Sequence, residues 1–280
     1  MASVPVVNSV LNSAGERRLP VRTQVAARVG SAVGTLSRRL GRGTGSVIGG
    51  RAILAIDPGA LRQLARGRDI ALVSGTNGKT TTTSLLCAAM QAQGAVVSNA
   101  LGANLPPGIA AALARAPEGA RLAVLEVDEA WLAQVVAATD PAVVVLLNLS
   151  RDQLDRNNEV RRLASAWREL LAGHEALHVV ANADDPLVAW AGDAAASVTW
   201  VGAGQRWTAD AAGCPSCGGR ILFPAATGGA WACSQCSFHR PALDVWLDGD
   251  EVVFTGGERV AVHLRLPGRI NVANAAMAMA

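Results

Sequence analysis

The sequence predicts an α/β fold: a parallel β-sheet with helices on both faces, interrupted by a small cysteine-rich insertion. Three observations predict it. Short, continuously apolar segments alternate with stretches of helical periodicity, the pattern of strands buried on both faces. The first of these segments runs directly into a glycine-rich turn and then a helix. Two Cys-x-x-Cys pairs stand 15 residues apart where the alternation breaks off.

The elements follow in order. Residues 1–20 carry no sustained period and read as a loose arm. From Val21 to Leu40, apolar residues recur at helical spacing (Val25, Val29, Val33, Leu36, Leu40) with arginines between them. That pattern predicts an amphipathic helix, which the run Gly41-Arg42-Gly43-Thr44-Gly45 ends. Strands are predicted at Asp69–Ser74, Arg121–Val127, Pro141–Leu147 and Ala176–Ala181. Helices are predicted at Thr80–Gln93, Glu129–Ala138, Glu159–Ala172 and Pro186–Ala191. Residues 214–236 leave no room for another strand–helix unit, and strand-like segments resume at 251–254 and 260–266. The last ten residues begin a helix that no Gly or Pro closes. The chain is therefore expected to stop inside an element, with a frayed final helix as the alternative.

Composition excludes several classes. With 50% hydrophobic and 17% charged residues over 280 positions, the chain is too apolar for disorder and long enough for one or two domains. No stretch reaches the ~20 unbroken apolar residues of a membrane helix. The N-terminus has no apolar signal region, so the cytosol is the expected compartment. Of the 25 basic residues, 24 are Arg and one is Lys79. Tyr is absent, so the bias resembles that of a GC-rich genome in which Arg replaces Lys wherever a charge suffices. A lysine retained against that bias is a candidate for placing a compact ammonium on a phosphate. Residues 1–70 hold 11 Arg against Glu16, Asp57 and Asp69, a net of +8, whereas residues 71–280 carry a net of −5. The basic arm fits either a solvated helix face or an anionic surface, the inner face of a membrane among them.

The strongest motif is Gly75-Thr76-Asn77-Gly78-Lys79-Thr80-Thr81, between the first strand and its helix. Backbone N–H groups and a helix N-terminus at such a turn cradle phosphates. Gly75 and Gly78 would let the backbone approach closely, Lys79 would neutralise the β- and γ-phosphates, and the Thr80 hydroxyl would bind Mg²⁺. The longer GxxxxGK[ST] pattern is not met, since Val73 stands where its first Gly belongs. A purely structural turn is the alternative. Further polar segments follow or precede other elements at strand ends: Glu126 and Asp128, residues 148–156 (NLSRDQLDR), residues 182–185 (NADD) and residues 267–274 (PGRINVAN). In a parallel sheet, that is where ligands bind.

Cys214, Cys217, Cys233 and Cys236 have the spacing of a zinc ribbon. Four thiolates leave no place for water, so the predicted site is structural. Gly218 and Gly219 would help the first knuckle turn, and His239 is read as a surface residue. Disulfides are the alternative, disfavoured in a reducing compartment. Cys87, in the helix after the glycine turn, reads as a small core residue.

Together these residues resemble the Mur ligase superfamily over roughly residues 45–280. GTNGKTT is similar to that family's ATP loop and Glu126 to its Mg²⁺-binding glutamate, so Lys79 and Glu126 are the implied catalytic pair. NLSRDQLDR is similar to its N-x-x-x-D-H-L-D segment, and PGRINVAN to a late motif that places Asn271 and Asn274 near the adenine. Gln153 and Ile270 stand where the family usually has His. Those departures, the early ATP loop and the four cysteines resemble the MurT branch, the ligase-like subunits of lipid II isoglutaminyl synthase, although Asn157-Asn158-Glu159 departs from that branch's Tyr-Gly-Glu.

The resemblance implies that ATP phosphorylates the α-carboxylate of D-glutamate in the lipid II stem peptide, and that ammonia displaces the phosphate. The sequence holds no Cys–His–Glu glutaminase set, so the ammonia would come from a GatD-type glutaminase partner. The implied cofactors are ATP, Mg²⁺ and a structural Zn²⁺. The implied division is a basic arm and helix (1–45), an ATP-binding central domain (46–205 and 243–280) and a zinc-ribbon insertion (206–242). The family's C-terminal domain, with its catalytic Asp, has no counterpart here, so this chain alone is expected to bind ATP weakly and not to amidate. A folylpolyglutamate-synthase-like or other Mur-type ligase is one alternative. A zinc-ribbon NTPase acting on nucleic acid is another, disfavoured because residues 206–242 carry only Arg206, Arg220 and Arg240.

Overall fold

The computed structural model describes residues 19–41, 45–99, 103–117, 119–150, 157–204, 211–224 and 230–280. The reading of residues 1–18 as a loose arm, and of Arg42–Thr44 as part of a helix stop, falls outside them. Three helices come first: α1 (Val21–Arg39), α2 (Ser46–Ile56) and α3 (Ala60–Ala65). The alternating body follows as β1 (Asp69–Ser74), α4 (Lys79–Met90), β2 (Val96–Ser98), α5 (Pro106–Ala114), β3 (Leu122–Val127), α6 (Leu132–Thr139), β4 (Val143–Leu146), α7 (Asn157–Ala172), β5 (His178–Asn182), α8 (Pro186–Gly192) and β6 (Ser197–Gly202). A short hairpin, β7 (Ile221–Leu222) and β8 (Ala232–Cys233), precedes β9 (Val245–Asp248), β10 (Glu251–Phe254), β11 (Arg259–Ala261) and α9 (Arg269–Met279).

Nine strands form one sheet in the order β11-β10-β9-β6-β5-β4-β1-β3-β2. Pairing is parallel from β2 through to β9 and antiparallel at β9–β10–β11. The segment after the cysteine-rich region thus returns to the same sheet. Strand alternation explains the two cores. Ile70 and Leu72 of β1 pack with α2, α3 and α5–α8, whereas Ala71 and Val73 pack with Leu86 and Met90 of α4 and Ala276 and Met277 of α9. The two layers are the helices on both faces that the sequence predicts.

Register positions the site. Ser74, the last residue of β1, lies opposite Val127 of β3 on one side and Leu146 of β4 on the other. Its hydroxyl donates to the Val127 carbonyl at 3.0 Å. The loops leaving β1, β3 and β4 therefore start side by side. The chain runs outward to β2 and back to β3, then crosses β1 to reach β4. This is the switch point at which open α/β sheets hold ligands.

Helix α1 exists as predicted, and it is the small residues rather than the apolar stripe that face the protein. Its buried residues are Thr23, Ala26, Gly30, Gly34 and Ser37. Val21, Val25, Val29, Leu36 and Leu40 are exposed. The cause is close helix packing against α2: a Cβ on Gly30 would lie 2.7 Å from the Gly49 carbonyl oxygen, and one on Gly34 would lie 2.9 Å from that of Gly45. Small residues permit that approach; the valines do not. The sequence also left α2, α3, α5, β2, β6 and β9 unassigned. The predicted strand at 260–266 shortens to β11, which covers Arg259–Ala261.

Helix α5 is pinned in the same manner, since a Cβ on Gly50 would fall 1.7 Å from the Pro107 carbonyl oxygen. Gly50→Ala is expected to lower unfolding free energy by about 1–3 kcal/mol through this clash. Leu36→Gln, on the exposed face, should change it by less than about 0.5 kcal/mol. Urea midpoints with unchanged m-values check both.

Candidate functional site

The glycine turn sits where the register directs it. Gly75 (φ 144°) and Gly78 (φ 87°) hold conformations that disfavour a side chain. A Cβ on Gly75 would also meet the Leu147 Cβ at 2.9 Å. Helix α4 starts at Lys79, directly after Gly78, so its first amides point into the turn. The turn is tied to the loop after β4. The Asn77 amide donates to Asn148 Oδ1 at 3.0 Å, and Asn148 Nδ2 donates back to the Asn77 carbonyl at 2.9 Å. Thr76 Oγ1 donates to the Ser150 carbonyl at 3.2 Å and accepts from the Ser150 amide at 3.1 Å.

Two carboxylates meet this turn. Glu126, buried at the end of β3, accepts from the Thr80 hydroxyl at 2.8 Å and from Asn104 Nδ2 at 3.3 Å. Asn99 fixes its backbone from both sides, accepting from the Glu126 amide and donating to its carbonyl, each at 2.8 Å. Thr80 and Glu126, separated by 46 residues, are thus adjacent, as a shared metal ion requires. Lys79 folds over its own loop, its Nζ 2.5 Å from the Gly75 carbonyl and 3.1 Å from that of Thr76. It also pairs with Glu129 at 3.2 Å.

Sequence reasoning missed Glu129, taking it for the start of a helix. The helix begins at Leu132, and Glu129 lies in the turn before it, where Trp167 Nε1 of α7 donates to its carbonyl at 3.0 Å. Asp128, singled out with Glu126, is turned aside, and its Oδ1 accepts from the Ala130 amide at 3.1 Å. Thr81 follows in the first turn of α4, half-buried. Asn274 of α9 packs on the glycine turn: a Cβ on Gly78 would lie 2.5 Å from its Oδ1. Asn271 Nδ2 is engaged locally, donating to the Pro267 carbonyl at 2.8 Å. Residues 151–156, including Asp152 and Gln153, lie outside the described residues.

The NADD segment after β5 braces this end of the sheet. Asn182 Nδ2 donates to the Leu147 carbonyl at 2.8 Å, and Asp185 Oδ2 accepts from the Leu149 amide at 2.9 Å. Asp185 Oδ1 also caps α8 through the Leu187 and Val188 amides.

The four predicted cysteines converge. Their sulfurs all lie within 4.8 Å of one another, with Cys214–Cys236 at 3.7 Å and Cys217–Cys233 at 3.5 Å. A zinc–sulfur bond of ~2.3 Å requires tetrahedral edges of about 3.8 Å, so the cluster fits Zn²⁺. All four are free thiols, which sets the disulfide alternative aside. The Gly219 amide donates to Cys217 Sγ at 3.4 Å and that of Gln235 to Cys233 Sγ at 3.3 Å. The Gln235 contact draws Cys233 down to about 6, whereas desolvation and the neighbouring thiols push Cys236 up to about 12, so the crowded sulfurs share protons unevenly. His239 is exposed and outside the cluster. Cys87 is half-buried among apolar neighbours, and burial pushes its thiol up.

The ribbon is bolted to the sheet. Trp231, buried with Ala189 and Ile221, packs against Phe238 with ring centroids 4.9 Å apart and planes tilted by 51°, and donates through Nε1 to the Ala183 carbonyl at 2.9 Å. Arg161 of α7 donates to the Cys214 carbonyl at 2.7 Å. Arg240, near the end of the insertion, forms an ion pair with the buried Asp184.

A parallel sheet, a glycine turn capped by a lysine and a threonine, and an acidic strand end beside them define an α/β domain of the P-loop class. The comparisons go further. The model of the Mur ligase middle domain matches residues 73–280. The chain belongs to the Mur ligase family. It is 30% identical to the lipid II isoglutaminyl synthase (glutamine-hydrolyzing) subunit MurT of Streptococcus pneumoniae, over 86% of this chain and 58% of that protein. The Staphylococcus aureus counterpart is 31% identical, over 66% of this chain and 44% of that protein. The chain thus spans about half the length of the curated relatives it matches. The fold is that of a pseudomurein peptide ligase type C from Methanothermus fervidus (TM-score 0.57, 24% identity, 75% of this chain and 45% of that one). It is also that of MurF from Acinetobacter baumannii (TM-score 0.56, 17% identity, 82% and 45%).

Two outcomes test this geometry. The purified chain should carry one zinc ion, released by a strong chelator with loss of near-ultraviolet circular dichroism as the environment of Trp231 loosens; a metal-free chain with the same spectrum would contradict the fit. Glu129→Gln should tighten nucleotide binding, because the carboxylate that competes with phosphate for Lys79 is gone. Titration calorimetry with ADP reads the change.

Proposed function

We propose that the chain is the ATP-binding part of an ATP-dependent amide ligase of peptidoglycan synthesis, of the lipid II isoglutaminyl synthase type. The observation that carries the reading is the Thr80–Glu126 contact at 2.8 Å beside Lys79, at the switch point of the sheet. The MurT relatives, named as subunits of a glutamine-hydrolyzing lipid II isoglutaminyl synthase, support the reaction class. In this reading the α-carboxylate of D-glutamate in lipid II becomes an amide, with ammonia from a GatD-type glutaminase subunit.

A carboxylate resists attack until one oxygen can leave as phosphate. The chemical task is therefore alignment of a γ-phosphoryl group and neutralisation of its charge, leading to an acyl phosphate. Gly75, Thr76, Asn77, Gly78 and Thr81 form the cradle, with backbone amides as donors. Lys79 leaves Glu129 and places its ammonium on the terminal phosphates. Thr80 and Glu126 would hold Mg²⁺, which would screen the phosphate charge. Asn274, and one turn earlier Asn271, close the nucleotide site from α9. Residues 46–205 and 243–280 act as one ATP-binding unit, residues 206–242 as its zinc insertion and residues 1–45 as a basic arm and helix. In this reading a lipid-linked substrate would be met at the inner face of the membrane.

The test combines the complete gene product, its glutaminase partner, lipid II, ATP and glutamine. Mass spectrometry should detect conversion of the stem-peptide carboxylate to the amide. Glu126→Gln should lower kcat by about 100-fold or more while leaving the fold intact. Glutamate addition to a folate by the same mixture, with lipid II untouched, would point to a different ligase and overturn the reading.

A further inference from the structure

We propose that the outward face of α1 is a docking surface for an anionic lipid bilayer. Val21, Val25, Val29 and Leu36 of α1, with Leu40 just past its end, form an exposed apolar stripe whose centre lies about 120° round the helix from the residues packed on α2. Leu36 is 58% exposed and Leu40 63%. A helix on a sheet protein ordinarily buries such a stripe; here close small-residue packing against α2 occupies the other face and leaves the stripe outward.

Charge selects the occupant. Helix α1 contains Arg22, Arg28, Arg38 and Arg39 and no acidic residue. All four arginines are exposed, and none makes an ion pair with an acidic side chain among the described residues. At 100° per residue, Arg28 and Arg39 border one edge of the stripe and Arg22 the other. An apolar band edged by arginines is the pattern of a helix lying in the membrane interface, with its valines and leucines among acyl chains and its guanidinium groups at headgroup phosphates. The surplus of +8 over residues 1–70 extends the same attraction. A second copy of the chain fits poorly, because a two-fold contact would bring these arginines against their own images. The inference rests on α1 alone, so failure of the ligase reading leaves it standing, and its own failure leaves the ligase reading untouched.

The test uses the complete gene product with its partner subunit, sedimented with large vesicles. Binding is expected to mixed phosphatidylglycerol–phosphatidylcholine vesicles, to be much weaker on pure phosphatidylcholine, and to fall as salt rises. Each of Arg28→Ala and Arg39→Ala should weaken partitioning about fivefold. The double variant Val25→Asp/Leu36→Asp should lose it, with thermal unfolding unchanged because both positions are exposed. Absence of binding to anionic vesicles, or binding indifferent to these substitutions, overturns the proposal. So does light scattering in which Leu36→Asp converts a dimer to a monomer or frees the partner subunit, since the face would then be a protein interface.

Discussion

The register of β1 between β3 and β4 is the constraint on which the rest of the molecule depends. Because the three strands end together, the turn that begins at Gly75 opens beside Glu126 on one side and Asn148 on the other. A slip of one residue in a strand would exchange its two faces. It would bury Ala71 and Val73 against the wrong helices and carry Glu126 away from Thr80. Continuous apolar composition makes the strands buried, and the two distinct helical layers make their register unique.

Around that register the polar groups are arranged as a closed set. Asn99 grips the backbone at Glu126, Asn148 grips that at Asn77, and Asn182 holds the carbonyl of Leu147. Each bond is between neutral groups and contributes only about 1 kcal/mol net, but a buried partner left unmet costs more than that. The site is therefore stiff before any phosphate arrives, as electrostatic catalysis requires. The cysteine ribbon extends the same logic: through Trp231 to Ala183 and Arg240 to Asp184, it clamps the segment after β5 from outside.

Much of this was legible in the sequence. The strand 69–74 and the glycine turn have unmistakable composition, since few residues other than glycine tolerate the conformations at positions 75 and 78, and the lone lysine marks the turn. Cys-x-x-Cys spacing reports a tetrahedron because two-residue gaps let one knuckle offer two sulfurs. What stayed hidden depends on long-range contact. Glu129 pairs with Lys79 only because α6 begins three residues later than periodicity suggests. The buried side of α1 was not legible, because periodicity reveals a stripe but not which face meets protein, and glycine packing against α2 decided it. The hydrogen bonds that link Asn148 to the glycine turn span more than seventy residues of chain and leave no local signature.

The most direct measurement is calorimetric binding of MgATP to the complete gene product with its partner, comparing wild type with Lys79→Ala. The account predicts saturable binding that depends on Mg²⁺ in the wild type and its loss in the variant, with both proteins equally folded. Equal MgATP affinity in the two would contradict it.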